Sequence, residues 1–182
     1  VLTKSTSALL LTPVLEKFES MGATITTGED WIRAQMKGRP LPVDIRTQPH
    51  PGFPTDMQAQ MTAIQAITSG LNVVNETVFE NRFQHLEEMR RMNAKVKIEG
   101  NIAMIEGGTA LQGAVVYATD LRAAAALILL GLRAEGITRV RNLKYLDRGY
   151  YKFHEKLAAL GADIERVSDQ QVMNKEPQPV EA

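Results

Sequence analysis

An α/β fold is predicted for this chain, with repeated units of strand, helix, strand, helix, strand and strand and with buried helices inside the sheets. Helical and strand-like runs alternate along the 182 residues, which is typical of α/β and α+β proteins. In addition, one pattern occurs twice: a Thr-Asp pair, an apolar helical run, a glycine, a strand, and an arginine twelve residues after the glycine. The two copies contain Thr55, Asp56, Gly70, Asn81 and Arg82, and then Thr119, Asp120, Gly136, Asp147 and Arg148.

The composition narrows the class of protein. Apolar residues make up 44% and charged residues 23%, as in ordinary globular proteins. The 21 basic and 21 acidic residues cancel, so the charge favours neither nucleic acid nor an anionic membrane as a partner. The lack of cysteine in the sequence excludes disulfides, a thiolate nucleophile and cysteine metal sites, and it fits a cytoplasmic location. The longest apolar run, 123–132, is about half of the ~20 residues that a bilayer crossing needs.

The larger unit of strands and helices is predicted three times. Its first copy, about residues 1–36, is incomplete, because only residues 1–3 precede its helix as a candidate strand. Apolar residues at i, i+4 and i+7 predict this helix, and they are Leu11, Leu15 and Phe18. Gly22 suits the left-handed cap that ends it. A hairpin is then predicted between Thr24–Thr26 and Trp31–Gln35. The missing first strand and helix suggest that the chain begins inside a larger protein.

The second copy, about residues 43–106, and the third, about residues 114–174, are complete. Each begins with a strand and a helix that is apolar on most faces, starting near Asp56 and near Asp120, and such helices are expected inside the protein. Each continues with a strand, an amphipathic helix and a closing hairpin. The predicted hairpins pair Lys95–Ile98 with Ile102–Ile105, and Ala162–Val167 with Gln170–Met173. Residues 175–182 are predicted to be a flexible tail after a domain of residues 1–174.

The densest stretch of candidate functional residues is HPGFPTDMQAQ, residues 50–60. Three prolines within residues 49–54 stiffen a loop that delivers Thr55 and Asp56 to the start of a helix. One interpretation is structural: Thr or Asp caps the helix, and a negative charge suits its dipole. The other is functional: Asp56 is a carboxylate held where it accepts a proton from a substrate hydroxyl. The stiffened approach favours the functional interpretation, because a plain cap does not require it.

Three arginines are candidates for binding an anion. Arg82 and Arg148 follow predicted strands and open helices, where the helix dipole disfavours a cation unless a partner compensates. Arg122 lies near the start of an otherwise apolar helix, so an internal pair with Asp120 is an alternative to ligand binding. Asp120 itself is predicted to be a helix cap rather than a catalyst.

Four motifs in this order, HPGFPTDMQAQ, ETVFENRF, ATDLRA and DRGY, resemble those of the enolpyruvyl transferase family. The similarity extends to about Val167. The resemblance implies an inside-out α/β barrel of three repeated units, one of two such domains with substrates between them. Because family members are much longer, the chain is expected to be a C-terminal-side portion. FENRF favours the branch of the family that acts on a UDP-sugar over the branch that acts on 3-phosphoshikimate.

The resemblance also implies roles for individual residues. Asp56 would contact the 3-hydroxyl of UDP-N-acetylglucosamine and accept its proton, and the backbone of Val78 would contact the same substrate. Arg82, Arg122 and Arg148 would lie near the phosphate and carboxylate of phosphoenolpyruvate, and Arg148 is the strongest candidate for direct contact. Arg82 and Arg122 are also expected to order the site through hydrogen bonds. Enolpyruvyl transfer needs a base, an acid and charge stabilisation, so neither a cofactor nor a metal is expected.

The implied partners are the two substrates and an N-terminal catalytic domain, with no nucleic acid and no membrane. The family's mobile cysteine-bearing loop and its N-terminal Lys-Asn pair have no counterpart in this sequence, so the chain alone is expected to be inactive. Two alternatives remain: a portion of the 3-phosphoshikimate enzyme, and a non-catalytic α/β domain of the same fold. Binding of a uridine nucleotide would separate the UDP-sugar branch from the shikimate branch.

Overall fold

The structure is a computed structural model that describes residues 2–3 and 7–168, and the chain divides into two compact units, Val1–Gly149 and Tyr150–Ala182. The helices are α1 (Thr12–Ser20), α2 (Gln58–Gln65), α3 (Gln84–Arg91), α4 (Leu121–Gly131) and α5 (Phe153–Ala159). The strands are β1 (Leu2–Thr3), β2 (Thr24–Thr27), β3 (Trp31–Gln35), β4 (Ile45–Arg46), β5 (Leu71–Asn75), β6 (Lys95–Glu99), β7 (Ile102–Glu106), β8 (Val115–Tyr117) and β9 (Arg139–Arg141). Short 3-10 turns cover Ala8–Leu11, Thr55–Met57 and Leu146–Arg148.

Each copy of the repeat in the first unit supplies its own open sheet. The sheet orders are β1-β3-β2, β4-β5-β7-β6 and β8-β9. The second copy shows the predicted order of strand, helix, strand, helix, strand and strand. Strands β4 and β5 are parallel, as are β8 and β9, because a helix crosses over between the members of each pair. The predicted hairpins β2-β3 and β6-β7 are both present, and their strands are antiparallel.

The crossover helices α2 and α4 pack against each other in the core of the first unit. Seven of the eleven residues of α4 are buried, and α2 is buried on most faces. The more polar α3 buries one face, which consists of His85, Leu86 and Met89. These observations confirm the mixed α/β class and the prediction of buried helices covered by sheet. At 11 residues α4 is far short of the ~20 that a bilayer crossing needs, and no helix in residues 7–168 could span one.

The second unit contains α5, which ends before Gly161 at φ +95°, the left-handed conformation predicted for this glycine. The hairpin predicted after α5 is not observed. Residues 162–168 form no strand, so the prediction for Ala162–Val167 is wrong, while Gln170–Met173 and the tail 175–182 lie outside the described residues. A strand exists only where its backbone pairs with a neighbour, and residues 162–168 have no such pairing in the described part of the chain.

Candidate functional site

The proline-rich loop before Asp56 is tied down at both of its ends. Thr47 and Phe53 form an isolated β-bridge, and the backbone N–H of Gln48 donates to the carbonyl of Phe53 at 2.9 Å. The Phe53 side chain is 4% exposed, so it anchors the loop in the core. The 3-10 turn Thr55–Met57 follows directly and leads into α2. Burial of Phe53 and the backbone pairing therefore hold Asp56 in place just before the start of α2.

Asp56 lies between two guanidinium groups. Its Oδ1 accepts hydrogen bonds from Nη2 of Arg82 at 2.9 Å and from Nε of Arg122 at 2.8 Å. Neither the turn that contains Asp56 nor α2 receives a side-chain cap, so the prediction of a cap by Thr55 or Asp56 is wrong, while the negative charge of Asp56 does lie in the first turn. We call the group of Asp56, Arg82 and Arg122 the Asp56 cluster. The three residues belong to separate sequence motifs, and the fold brings them together.

The electrostatics of the Asp56 cluster keep the carboxylate ionised. The hydrogen bond from Arg122 holds the pKa of Asp56 below its ordinary value, and the charges of Arg122 and Arg82 act in the same direction against partial burial. The Asp56 side chain is 60% exposed, whereas Arg82 is 18% exposed. The carboxylate is thus accessible to a ligand and deprotonated at neutral pH.

Arg82 is held by two hydrogen bonds and an aromatic ring. Its Nη1 donates to the hydroxyl oxygen of Thr55 at 2.8 Å, while its Nη2 donates to Asp56. Its guanidinium carbon also lies 4.5 Å from the centroid of the Phe79 ring, a cation–π distance. Hydrogen bonds on one edge and an aromatic ring on one face fix the plane of the guanidinium.

A buried carboxylate that sequence reasoning missed lies beside the Asp56 cluster. Glu76 is 2% exposed and accepts hydrogen bonds from the hydroxyls of Thr47 and Thr55, at 2.8 and 2.9 Å. It also accepts from the backbone N–H groups of Val78 and Phe79, at 2.9 and 3.1 Å. One signal could have identified it: Thr47 and Glu76 follow the adjacent parallel strands β4 and β5, whose carboxyl ends meet at one edge of the sheet.

Val78 lies in the turn that Glu76 holds, and its side chain is 36% exposed. Its backbone N–H is occupied by Glu76. No donor among the described residues reaches its carbonyl oxygen. The backbone group of Val78 that is open to a ligand is therefore the carbonyl, an acceptor.

Asp120 behaves differently from its counterpart Asp56. It is the N-cap of α4, and its Oδ1 accepts from the backbone N–H groups of Arg122 at 2.7 Å and Ala123 at 3.1 Å. The prediction that Asp120 is a cap is confirmed. The guanidinium of Arg122 extends from the first turn of α4 to Asp56, which compensates for a cation near a helix N-terminus.

His85 supports the Asp56 cluster from the core side. It is 2% exposed, and its Nε2 lies 3.0 Å from the hydroxyl oxygen of Thr62 on α2. Burial lowers the pKa of His85 to about 4, although the negative charge of Asp120 and a contact with the backbone of Arg82 partly oppose this. The imidazole is therefore neutral at physiological pH and adds no positive charge behind Arg82.

An open cleft of about 330 Å³ adjoins the Asp56 cluster, and its lining includes Arg82, Arg122 and Asp120 together with residues 79–81. Two guanidiniums at its wall and an ionised carboxylate beside them suit a ligand that carries both an anion and a hydroxyl. Arg148, the remaining candidate, is exposed in the 3-10 turn Leu146–Arg148 that packs against α4. The structure shows no hydrogen bond or ion pair of Arg148 with another described residue, so Arg148 is not joined to the Asp56 cluster.

Comparison with known proteins identifies similar sequences. The family model of EPSP synthase (3-phosphoshikimate 1-carboxyvinyltransferase) matches residues 1–157. Over 168 residues, 92% of the chain, the sequence is 55% identical to UDP-N-acetylglucosamine 1-carboxyvinyltransferase from Psychrobacter arcticus. The identity to the protein of the same name from Psychrobacter sp. is 54% over an equal span. The chain spans about 40% of the length of these curated relatives.

Solved structures show the same similarity in three dimensions. The enolpyruvyl transferase NikO from Streptomyces tendae superposes with a TM-score of 0.78 at 30% identity, covering 85% of this chain and 36% of that one. EPSP synthase from Acinetobacter baumannii superposes with a TM-score of 0.57 at 18% identity, over 71% of this chain and 31% of that one. The latter similarity is one of fold alone.

Proposed function

Because the chain belongs to the EPSP synthase family of enolpyruvyl transferases, we propose that it forms the acceptor-hydroxyl side of an enolpyruvyl transfer site. The donor is phosphoenolpyruvate, the acceptor is the 3-hydroxyl of UDP-N-acetylglucosamine, and phosphate is released. The reaction is an early step of peptidoglycan synthesis, which takes place in the cytoplasm. The observation that carries this proposal is the Asp56 cluster, in which an ionised, accessible carboxylate accepts hydrogen bonds from two arginines that line an open cleft.

The chemistry requires a proton acceptor close to stable cations. The sugar hydroxyl oxygen bonds to the central carbon of phosphoenolpyruvate while its proton passes to Asp56, and a general acid gives a proton to the terminal carbon of the double bond. Loss of a proton from that terminal carbon and of phosphate then restores the double bond. Arg82 and Arg122 stabilise the negative charge of the phosphate and carboxylate, because guanidiniums stay charged and bind such anions with two parallel hydrogen bonds.

The Asp56 cluster also suggests how the carboxylate becomes a better base. Both arginines donate to the same oxygen, Oδ1 of Asp56, so an anionic substrate competes with Asp56 for them. When the phosphate or carboxylate of the donor takes over these hydrogen bonds, the pKa of Asp56 rises towards its ordinary value. Proton acceptance is thereby strengthened only when the donor substrate is bound.

Two further residues have proposed roles at the same site. The carbonyl of Val78 accepts a hydrogen bond from the UDP-sugar, since the N–H of Val78 is already used by Glu76. Arg148 binds the anionic donor directly, and its exposed position leaves its guanidinium available to do so.

The test is a chimera in which this chain replaces the matching 40% of the Psychrobacter arcticus relative. Phosphate release is measured with phosphoenolpyruvate and either UDP-N-acetylglucosamine or 3-phosphoshikimate as the acceptor. Turnover with the UDP-sugar is expected, and turnover with 3-phosphoshikimate alone would assign the chain to the other branch of the family.

The role of Asp56 is tested by Asp56→Asn in that chimera. The rate is expected to fall by about a hundredfold or more, because general base catalysis typically contributes 10²–10⁴-fold. The free energy of unfolding is expected to change by about 1 kcal/mol or less, since exposed ion pairs contribute little. Glu88→Gln is the matched control, because Glu88 pairs with Arg91 away from the Asp56 cluster. If Asp56→Asn lowers the rate only as far as its loss of stability explains, the proposed role is contradicted.

A further inference from the structure

Glu76 is a buried carboxylate whose hydrogen-bond partners are all donors. Its side chain follows β5 and is 2% exposed. Removing a carboxylate from water is unfavourable unless it is fully hydrogen-bonded. Glu76 meets this condition with two hydroxyl and two backbone N–H donors. A turn alone needs only one acceptor oxygen, so the second oxygen of Glu76 calls for a separate explanation.

The two oxygens of Glu76 serve different parts of the site. Oε1 accepts from the hydroxyl of Thr47 and from the N–H groups of Val78 and Phe79, and so closes the turn that presents Val78. Among the described residues, Oε2 accepts only from the hydroxyl of Thr55, at 2.9 Å. One carboxylate thus links the turn after β5 to the residue next to Asp56.

The hydroxyl of Thr55 connects Glu76 to Arg82. A hydroxyl has one proton, and that of Thr55 is directed to Oε2 of Glu76. Its lone pairs therefore face Nη1 of Arg82, 2.8 Å away, while Nη2 of the same guanidinium donates to Asp56. With a donor in place of Oε2, the Thr55 proton would lose its acceptor.

We infer that Glu76 is a positioning residue, which sets the orientation of Arg82, and hence of Asp56, through the hydroxyl of Thr55. Its other oxygen holds the turn that offers the Val78 carbonyl. The inference rests on the proposed function for the meaning of this geometry, because Asp56, Arg82 and Val78 are the groups proposed to meet the substrates. The contacts themselves are properties of this chain.

The substitution Glu76→Gln tests the roles of the two oxygens separately. The amide oxygen takes the place of Oε1, where three donors converge, and the amide N–H₂ then faces Thr55, where an acceptor is needed. The turn at Val78 is therefore retained and the link to Arg82 is broken. Thr55→Val breaks the same link from the other side, because valine has the shape of threonine without its hydroxyl.

The first measurement uses the chain itself and needs no activity. The Asp56 carboxyl is titrated by carbon-13 NMR in the unsubstituted chain and in both variants. Each variant is expected to raise the pKa of Asp56, because Arg82 is no longer aligned, but not to its ordinary value, because Arg122 still donates. Glu88→Gln is the control, since Glu88 also accepts a backbone N–H, that of Tyr117, and lies outside this network.

The second measurement uses the chimera with the Psychrobacter arcticus relative. Glu76→Gln and Thr55→Val are each expected to lower kcat/KM by about tenfold or more, the effect of losing a hydrogen bond to a charged group. The double variant is expected to be no worse than the poorer single one, because both changes break one chain of contacts. The Glu88→Gln control is expected to stay within about twofold.

An unchanged Asp56 titration in folded Thr55→Val or Glu76→Gln would overturn the inference, as would additive losses in the double variant. If Glu76→Gln does not fold, Thr55→Val decides the matter by itself. If the unsubstituted chimera transfers no enolpyruvyl group, the proposed function fails, while the titration of Asp56 still decides the role of Glu76.

Discussion

The buried histidine behind the site gives the sharpest quantitative prediction. His85 is 2% exposed, and burial lowers its pKa from 6.5 to about 4. In the unfolded chain the imidazole returns to its ordinary pKa. Between pH 6.5 and about pH 4 the unfolded state therefore binds a proton that the folded state does not. The free energy of unfolding is expected to fall as the pH is lowered through this window.

The magnitude follows from the two pKa values. One pKa unit corresponds to about 1.4 kcal/mol, so lowering the pKa of His85 from 6.5 to about 4 corresponds to about 3 kcal/mol. Typical domains have unfolding free energies of about 5–15 kcal/mol, so a loss of this size is easily detected. Most of this loss is expected by the time the pH reaches the pKa of the folded state, and the rest follows below that pKa.

The assay is urea denaturation at a series of pH values between 6.5 and about 4 for the chain and for His85→Gln. Glutamine removes the titration and keeps a polar atom near the position of Nε2, where the Thr62 hydroxyl lies 3.0 Å away. The difference between the two pH profiles isolates His85 from the carboxylates that also titrate. If both proteins lose stability equally over this window, the assignment of the loss to His85 is refuted.

Three other outcomes are expected from the structure. Asp120→Ala should lower the free energy of unfolding by about 1 kcal/mol, because α4 loses its N-cap, whereas Asp120→Asn should retain most of it; equal losses in urea denaturation would contradict the capping role. Gly113→Ala should destabilise the chain by about 1–3 kcal/mol, because its added Cβ would lie 2.5 Å from the carbonyl oxygen of Ile137; an unchanged midpoint would count against this packing. Inorganic phosphate should raise the pKa of Asp56 in a carbon-13 titration, because it competes for the arginines, and a titration unaffected by phosphate would contradict that competition.

The identical Thr-Asp pairs show how far sequence reasoning reached at the site. Both pairs precede apolar helices, and both were consistent with a helix cap. Asp120 is a cap, whereas Asp56 binds Arg82 and Arg122. The sequence pattern could not distinguish them, because Arg122 is 66 residues from Asp56 and reaches it only through the packing of α2 against α4.

Glu76 shows a second limit of sequence reasoning. Its position after an apolar strand is visible in the sequence, but glutamate is seldom fully buried, so the pattern alone does not predict the burial of Glu76. Its burial depends on donors from three segments that meet only in the folded chain: Thr47 after β4, Thr55 before α2, and the turn at Val78. The strand predicted at Ala162–Val167 is absent, and residues 162–168 pair with no strand in the described part of the chain, because strand formation depends on a partner and not on local pattern alone.

The amino-acid sequence by itself determined the α/β class, the order of elements in the second copy of the repeat, the buried helices and the stops at Gly22 and Gly161. These features follow from interactions between near neighbours along the chain, which hydrophobic periodicity and glycine placement report directly. Only the tertiary structure decided that Asp56 accepts hydrogen bonds from two arginines and that Glu76 is buried and accepts hydrogen bonds from four donors. Those outcomes depend on contacts between residues distant in sequence, which form only when the two crossover helices and the parallel strands pack together.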